Sequence, residues 1–397
     1  MRRYLFLLLA LLLAATPALA GGPAYILVDV DSGTVLDHDQ SDALWHPASL
    51  TKLMTAYLAF KALKEGDLKL TSPVTISQHA LDQAPAKMGF KVGTVMNVDN
   101  ALKMMLVHSA NDIAVAMAET VGGSEPKFVT MMNAEARALG MASTHYDNAN
   151  GLPDDGQTTT ARDLAVLARA VWTDFPEDRS YFGIPAIKAG RRILRSQNDL
   201  LEEYRGTLGM KTGFICASGY NMVATARRAG RTMMVVVLGA TSGEIRGETA
   251  ARLLDQGFVT WGPSSKPKLA GFESASATGA PADMQNQVCN RRTAQADEEG
   301  SGDPGAETTS SHLGPRFFVM DPVPVFTGHA DASPPAATDA AKAGPVVKAP
   351  LPRVRPKVPG AAANAVPDAG AVTSAASADA AESEVLSRQA AIELETR

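Results

Sequence analysis

Hydrophobic and polar positions change period several times along the chain, and each change marks an element. Tyr25 to Val30 reads as a strand. Asp31-Ser32-Gly33 follows as a turn, and Thr34 to Asp37 is the hairpin partner. From Leu50 to Lys64 the period becomes helical, with Leu50, Leu53, Met54, Tyr57 and Leu58 on the apolar side and Gly66 as the stop. Helices are expected over Val98–Val107, Asn111–Val121, Glu125–Leu139 and Ala161–Trp172. Ser124 with Pro126 opens the third of these, and Thr160 can cap the fourth. Beyond Ile187 the pattern turns to strands. The clearest pair is Tyr220–Arg227 and Thr232–Gly239, joined at Ala229-Gly230, and a helix over Glu244–Phe258 closes the pattern. Strands at both ends with helices between predict an α+β unit, an antiparallel sheet carrying a helical subdomain.

The two ends of the 397-residue chain look different. Arg2 and Arg3, the apolar run Tyr4–Ala15 and the small-x-small string Ala18-Leu19-Ala20 form an export signal, with Gly21 as the expected mature start. The run is short for a membrane span, and its strongly apolar character favours the general secretory route over a twin-arginine one. At the other end the composition breaks near residue 270. Residues 271–397 hold 16 acidic and 10 basic residues, no Trp or Tyr, and long Ala/Pro/Ser tracts. Such a segment buries too little apolar surface to offset its ordering entropy, so 271–397 is expected to be a disordered tail. Arg316–Met320 and Ala380–Glu395 are the pieces with some tendency to order, and neither has the flanks of a good interfacial anchor. Peripheral membrane association is therefore left open without a clear anchor. The expected organisation is a signal peptide at 1–20, one catalytic unit at 21–270 and the tail.

The overall charge of −5 argues against a nucleic-acid partner. The two cysteines, Cys216 and Cys289, exclude a disulfide-dense scaffold and a thiolate zinc cluster. The seven histidines show no metal spacing, so no metal and no cofactor are expected.

Three short motifs carry candidate chemistry. In Ser49-Leu50-Thr51-Lys52, at a helix start, the i,i+3 spacing sets an amine beside a hydroxyl. A lysine can serve as the base for a serine nucleophile, and N–H groups at a helix start can face an oxyanion. Ser109-Ala110-Asn111 puts a hydroxyl and an amide at a corner between two helices, placed to relay and orient. Lys211-Thr212-Gly213 on a strand suits capture of a substrate carboxylate, with glycine permitting close approach. Each motif is weak alone, since an N-cap serine with a solvated lysine and an ordinary helix restart would look the same as the first two. A phosphate loop is excluded because Met210, not glycine, precedes Lys211.

Together and in this order the motifs are specific. The stretch from about Ala24 to Phe258 resembles the low-molecular-mass D-alanyl-D-alanine carboxypeptidases, serine peptidases among the penicillin-binding proteins. The resemblance is carried by Leu27–Gly33, Pro47–Thr55, His108–Asp112, Asn148–Leu152, Thr160–Ala165, Gly209–Phe214 and Ser218–Asn221. It implies a penicillin-binding/β-lactamase-like fold and an acyl-enzyme mechanism. Ser49 would be the nucleophile and Lys52 its base, with Ser109 and Asn111 relaying and orienting. Lys211 and Thr212 would hold the terminal carboxylate, Gly213 would let the substrate backbone approach, and the N–H groups of Ser49 and Phe214 would form the oxyanion hole. The implied partners are peptidoglycan pentapeptide stems as substrate and β-lactam antibiotics as inhibitors, at an exported, periplasmic location.

The sequence departs from this family in two places. The family commonly carries a C-terminal β-rich domain and an amphipathic membrane anchor, whereas the region after 270 here is low-complexity. Cys216 stands where a threonine is often found, and its pairing with Cys289 stays open because Cys289 falls in the expected tail. A DD-endopeptidase would use the same site. A β-lactamase would need a deacylating glutamate, and Glu119, Glu125 and Glu135 fall on expected amphipathic helices. A non-catalytic wall-binding module would be expected to lack one of Ser49, Lys52 or Lys211, and all three are present.

Overall fold

The computed structural model describes residues 22–260, 266–272, 277, 279–289, 312–316 and 321–328. The expected signal peptide and most of the expected tail lie outside the described residues.

In chain order the elements begin with strands β1 (Ala24–Asp29) and β2 (Thr34–Asp39), a tight turn of 3-10 helix at Ala48–Thr51, and helix α1 (Lys52–Glu65). Then come β3 (Pro73–Thr75), α2 (Gln78–Leu81), β4 (Val95–Asn97), α3 (Val98–Val107), α4 (Asn111–Gly122), α5 (Glu125–Ala138) and α6 (Ala161–Asp174). The second half holds β5 (Ala186–Ala189), β6 (Arg192–Arg195), α7 (Leu200–Glu203), β7 (Thr207–Ile215), β8 (Gly219–Arg228), β9 (Arg231–Ala240) and α8 (Gly243–Val259). Beyond residue 270 lie α9 (Gln285–Val288) and β10 (Val323–Val325).

The main sheet has the order β2-β1-β9-β8-β7, with every neighbouring pair antiparallel. Its N-terminal hairpin and C-terminal strands meet where β1 pairs with β9, from Ala24 opposite Leu238 to Asp29 opposite Met233. Both faces are covered. Leu27, Met222, Met233, Val235 and Val237 pack with Ala250, Ala251, Leu253 and Leu254 of α8. Ile26, Val28, Met234, Val236 and Leu238 join the larger core on the other side, with Leu164, Ala168 and Val171 of α6. This is why Met233–Leu238 is an unbroken apolar run rather than an alternating one. The β8–β9 turn has positive φ at both Ala229 (47°) and Gly230 (79°), the backbone that a two-residue hairpin of this twist requires.

The helical block is built around α1. Every residue from Lys52 to Phe60 is buried, so about the first two and a half turns of this helix are enclosed on all sides, while Lys64 and Glu65 at its end are exposed. It begins two residues later than the periodicity predicts, because Ala48–Thr51 is wound more tightly. Gly66, with φ at 87°, ends it as expected. Thr160 caps α6 by accepting from Asp163 N at 3.1 Å, whereas Ser124 makes no side-chain cap on α5.

The boundary expected at residue 270 is corrected by the structure. Met284 and Val325 are buried in the main core, and Leu313 packs against the α8 layer. Arg316 Nε lies 3.3 Å from Glu203 Oε1, and His312 Nδ1 lies 2.9 Å from Asp255 Oδ2. Strand β10 runs parallel to β5, with Val323 opposite Ile187, and completes the three-stranded sheet β10-β5-β6. Gly328 N then donates to Val95 O at 2.7 Å. Cys289, placed by composition in an unstructured tail, is instead bonded to Cys216 across 73 residues of sequence. Among the described residues no helix is long and apolar enough to cross a membrane.

Candidate active site

The turn at Ala48–Thr51 sets the geometry of the first motif. It places Ser49 at the mouth of α1 and Lys52 inside it, 8% and 0% exposed respectively. Lys52 Nζ donates to Ser49 Oγ at 3.1 Å, to Asn111 Oδ1 at 2.7 Å and to the carbonyl of Asn150 at 2.7 Å. Three oxygens thus fix the amine, which offers three donors as an ammonium. An amine this close to a hydroxyl can accept its proton once the amine is neutral.

The second motif occupies the corner between α3 and α4. Ser109 has φ at 61°, which turns the chain sharply enough for Asn111 to begin α4 facing Lys52. The Ser109 hydroxyl is buried and has no hydrogen-bond partner. Asn111 uses its whole amide. While Oδ1 accepts from Lys52, Nδ2 donates to Ala84 O at 2.9 Å and to Pro85 O at 3.1 Å. The next residue, Asp112, is fully buried and accepts from Met88 N at 3.0 Å and Gly89 N at 2.8 Å. The start of α4 therefore holds the loop 84–89 as well as the lysine.

The third motif lies on β7, the edge strand of the main sheet. Lys211 and Thr212 are buried, and Lys211 Nζ donates to Thr212 O at 2.8 Å. Gly213 packs on the Ser49 turn so closely that an added Cβ would stand 3.0 Å from Ser49 N and 3.1 Å from Leu50 N. The Phe214 ring packs on Tyr220 with centroids 4.4 Å apart. The eight candidate residues thus fall on three adjoining structures. Burial holds the His108 imidazole below the usual histidine range, helped by the positive charges of Arg192, Lys211 and Lys52 and opposed by Asp112. The third motif adjoins the first through the contact of Gly213 with the Ser49 turn.

Several residues that hold this arrangement carry no chemical signature in the sequence. Asn150 contributes a backbone carbonyl, which no residue type announces. Its side chain meets Gln83 Oε1 at 2.8 Å, and the neighbouring Ala149 carbonyl accepts from Thr55 Oγ1 at 2.6 Å. Asn221 Nδ2 donates to His46 O at 3.1 Å, and its Oδ1 accepts from Gly239 N at 3.0 Å, which fixes the approach to Ser49. Gly151 was a legible signal: at φ 90° a Cβ would stand 1.9 Å from Ala48 O, so glycine is required where the Asn150 segment crosses the Ser49 turn. His46 Nδ1 donates to Gln157 O at 3.2 Å and serves the surrounding loops.

A family model described as D-alanyl-D-alanine carboxypeptidase matches residues 14–242. The chain belongs to this family. D-alanyl-D-alanine carboxypeptidase DacC of Escherichia coli (strain K12) is 36% identical over 242 residues, covering 59% of this chain and 60% of that relative. The chain thus matches less than two thirds of that relative's length. The crystal structure of D-alanyl-D-alanine carboxypeptidase DacD from Francisella tularensis aligns with a TM-score of 0.58 and 30% identity, over 60% of this chain and 70% of that one. Penicillin-binding protein D2 from Listeria monocytogenes, solved in a cefotaxime-bound form, aligns with a TM-score of 0.54 and 31% identity, over 59% of this chain and 96% of that one. The family and the penicillin-binding fold agree with the resemblance carried by the three motifs.

Proposed function

We propose that the chain is a serine D-Ala-D-Ala carboxypeptidase that trims the terminal D-Ala from peptidoglycan stem peptides through an acyl-enzyme. The observation that carries this reading is the buried Lys52 amine, held on Ser49 Oγ by Asn111 and the Asn150 carbonyl. Neutral Lys52 takes the Ser49 proton as Oγ attacks the carbonyl of the D-Ala-D-Ala bond. The developing oxyanion is stabilised by the N–H groups of Ser49 and Phe214, and Gly213 lets the two chains carrying them approach. Lys211 and Thr212 hold the substrate's terminal carboxylate. The unpartnered Ser109 hydroxyl passes the proton to the departing D-Ala amine, and water then hydrolyses the ester.

A β-lactam presents a strained amide and a carboxylate to the same groups, so penicillins should leave a long-lived ester on Ser49. An endopeptidase acting on cross-linked stems would use the same residues. Residues 1–20 would direct export to the periplasm, and the chain beyond 328 would act as a spacer or partner-binding tail.

The test is mass spectrometry of the protein after exposure to a fluorescent penicillin, with hydrolysis of a D-Ala-D-Ala peptide and a cross-linked stem measured in parallel. One acyl group on the peptide containing Ser49, lost in Ser49→Ala, is expected. Labelling undiminished in that variant would overturn the assignment. Preference for the cross-linked stem would make the chain an endopeptidase.

A further inference from the structure

Residues 282–289 contribute none of the groups named above, yet they join the two arms of the site. Ala282 N donates to Leu44 O at 3.0 Å, on the segment that leads into Ser49. Met284 N donates to Ala217 O at 2.9 Å, in the turn that ends β7. The Met284 side chain is 4% exposed, and its Cγ would lie 3.4 Å from a Cβ on Gly219. After the short turn of α9, Cys289 is bonded to Cys216, the residue directly after β7. A second tie runs parallel to this one, since Trp45 Nε1 donates to Ser218 O at 2.8 Å. One short segment is therefore fastened to the approach of the nucleophile on one side and to the strand of the carboxylate-binding motif on the other.

We propose that Cys216, Cys289 and Met284 are positioning residues for acyl transfer at Ser49. They make residues 282–289 a buckle that fixes the gap between the Ser49 turn and β7. The inference rests on the functional reading above. Its physical basis is the contact between these arms, where Gly213 leaves no slack against Ser49 N and Leu50 N. The N–H groups of Ser49 and Phe214 stand on opposite sides of that contact, so a small separation moves the two donors of one oxyanion apart. When the disulfide is opened, the Met284 N–H to Ala217 O hydrogen bond and the Met284 side chain against Gly219 remain on the β7 side. Both cysteines are partly exposed, which leaves the bond open to a small dithiol. In that exchange the dithiol closes to its own disulfide and supplies two electrons and two protons, leaving two thiols.

The experiment measures penicillin acylation at increasing antibiotic concentration, separating the non-covalent dissociation constant from the acylation rate constant. Four samples are compared at a temperature where all are folded by circular dichroism: the oxidised chain, the dithiol-treated chain, the Cys216→Ser/Cys289→Ser double variant and Met284→Ala. Reduction is expected to lower the acylation rate constant by about tenfold while the dissociation constant stays within about twofold, because orientation rather than capture is lost. Reoxidation should restore the rate, the double variant should match the reduced chain and ignore the dithiol, and Met284→Ala should fall between. A folded, reduced chain that acylates within about twofold of the oxidised one would overturn the proposal. So would a chain that simply unfolds on reduction, since the bond would then serve stability alone. Labelling of the oxidised chain tests the functional reading, whereas the oxidised-to-reduced ratio tests the buckle.

Discussion

Gly213 touches the backbone of Ser49 so closely that a single methyl group on it would stand 3.0 Å from the serine nitrogen. The obstacle is backbone on both sides, with Pro47 O also at 3.2 Å, so no flexible side chain can swing away. Gly213→Ala should therefore push β7 off the Ser49 turn. A displacement of about 1 Å at reacting groups costs about 10²-fold in rate, and the acylation rate constant is expected to fall by that order. Stopped-flow labelling with penicillin measures it, and a variant within about threefold of the parent would show that the arms separate harmlessly.

Ser109 sets stability against activity. Its hydroxyl is buried without a partner, a state that costs about 1–3 kcal/mol. Ser109→Ala removes that cost at an unchanged backbone and should raise the unfolding free energy by about 1 kcal/mol. The same change removes the proposed proton relay and should slow acylation by about 10²-fold or more. Chemical denaturation and labelling kinetics on the same preparation decide whether the two effects have opposite signs.

His108 gives the site a pH dependence in stability. Its folded-state pKa is lowered by burial first and then by Arg192, Lys211 and Lys52, with Asp112 opposing. The unfolded chain therefore binds the proton more readily, and stability must fall as pH drops from about 6.5 toward the lower folded value. His108→Gln should be less sensitive than the parent between pH 8 and pH 5, which thermal melts across that range would show. Equal losses in the two proteins would assign the acid sensitivity to other groups.

Truncation tests the boundary that composition suggested. A fragment covering 21–270 lacks Cys289, Met284 and β10, whereas 21–328 keeps them. A crosslink over a loop of this length contributes about 4 kcal/mol by chain entropy alone. The shorter fragment should melt well below the longer one and lose most of its labelling. Matching melting temperatures would return these segments to the status of a passive tail.

These results show which parts of the molecule the sequence could disclose. The Ser49/Lys52 spacing was legible because a helix start converts i,i+3 into contact. The β8–β9 hairpin was legible because Ala229-Gly230 separates two long strand-like segments. Lys52's third partner was not, because Asn150 serves through its main chain. Elements of three or four residues such as α2, α7, α9 and β10 are too short to show a period, and Pro324 disguises β10 further. The disulfide joins positions 73 residues apart, and only Met284 and Val288 mark its second half as apolar. Composition averaged over 127 residues therefore concealed short segments that dock individually.

Amide hydrogens along Lys52–Phe60 have no exposed face from which the helix can fray, and its first turn sits among the tightest contacts of the molecule. Lys52, the proposed base, is thus mounted on the segment expected to exchange with solvent most slowly, at rates set by whole-domain opening. Catalytic competence and the folded state should then disappear in one cooperative event on heating, with no warm, native-looking but inactive form in between.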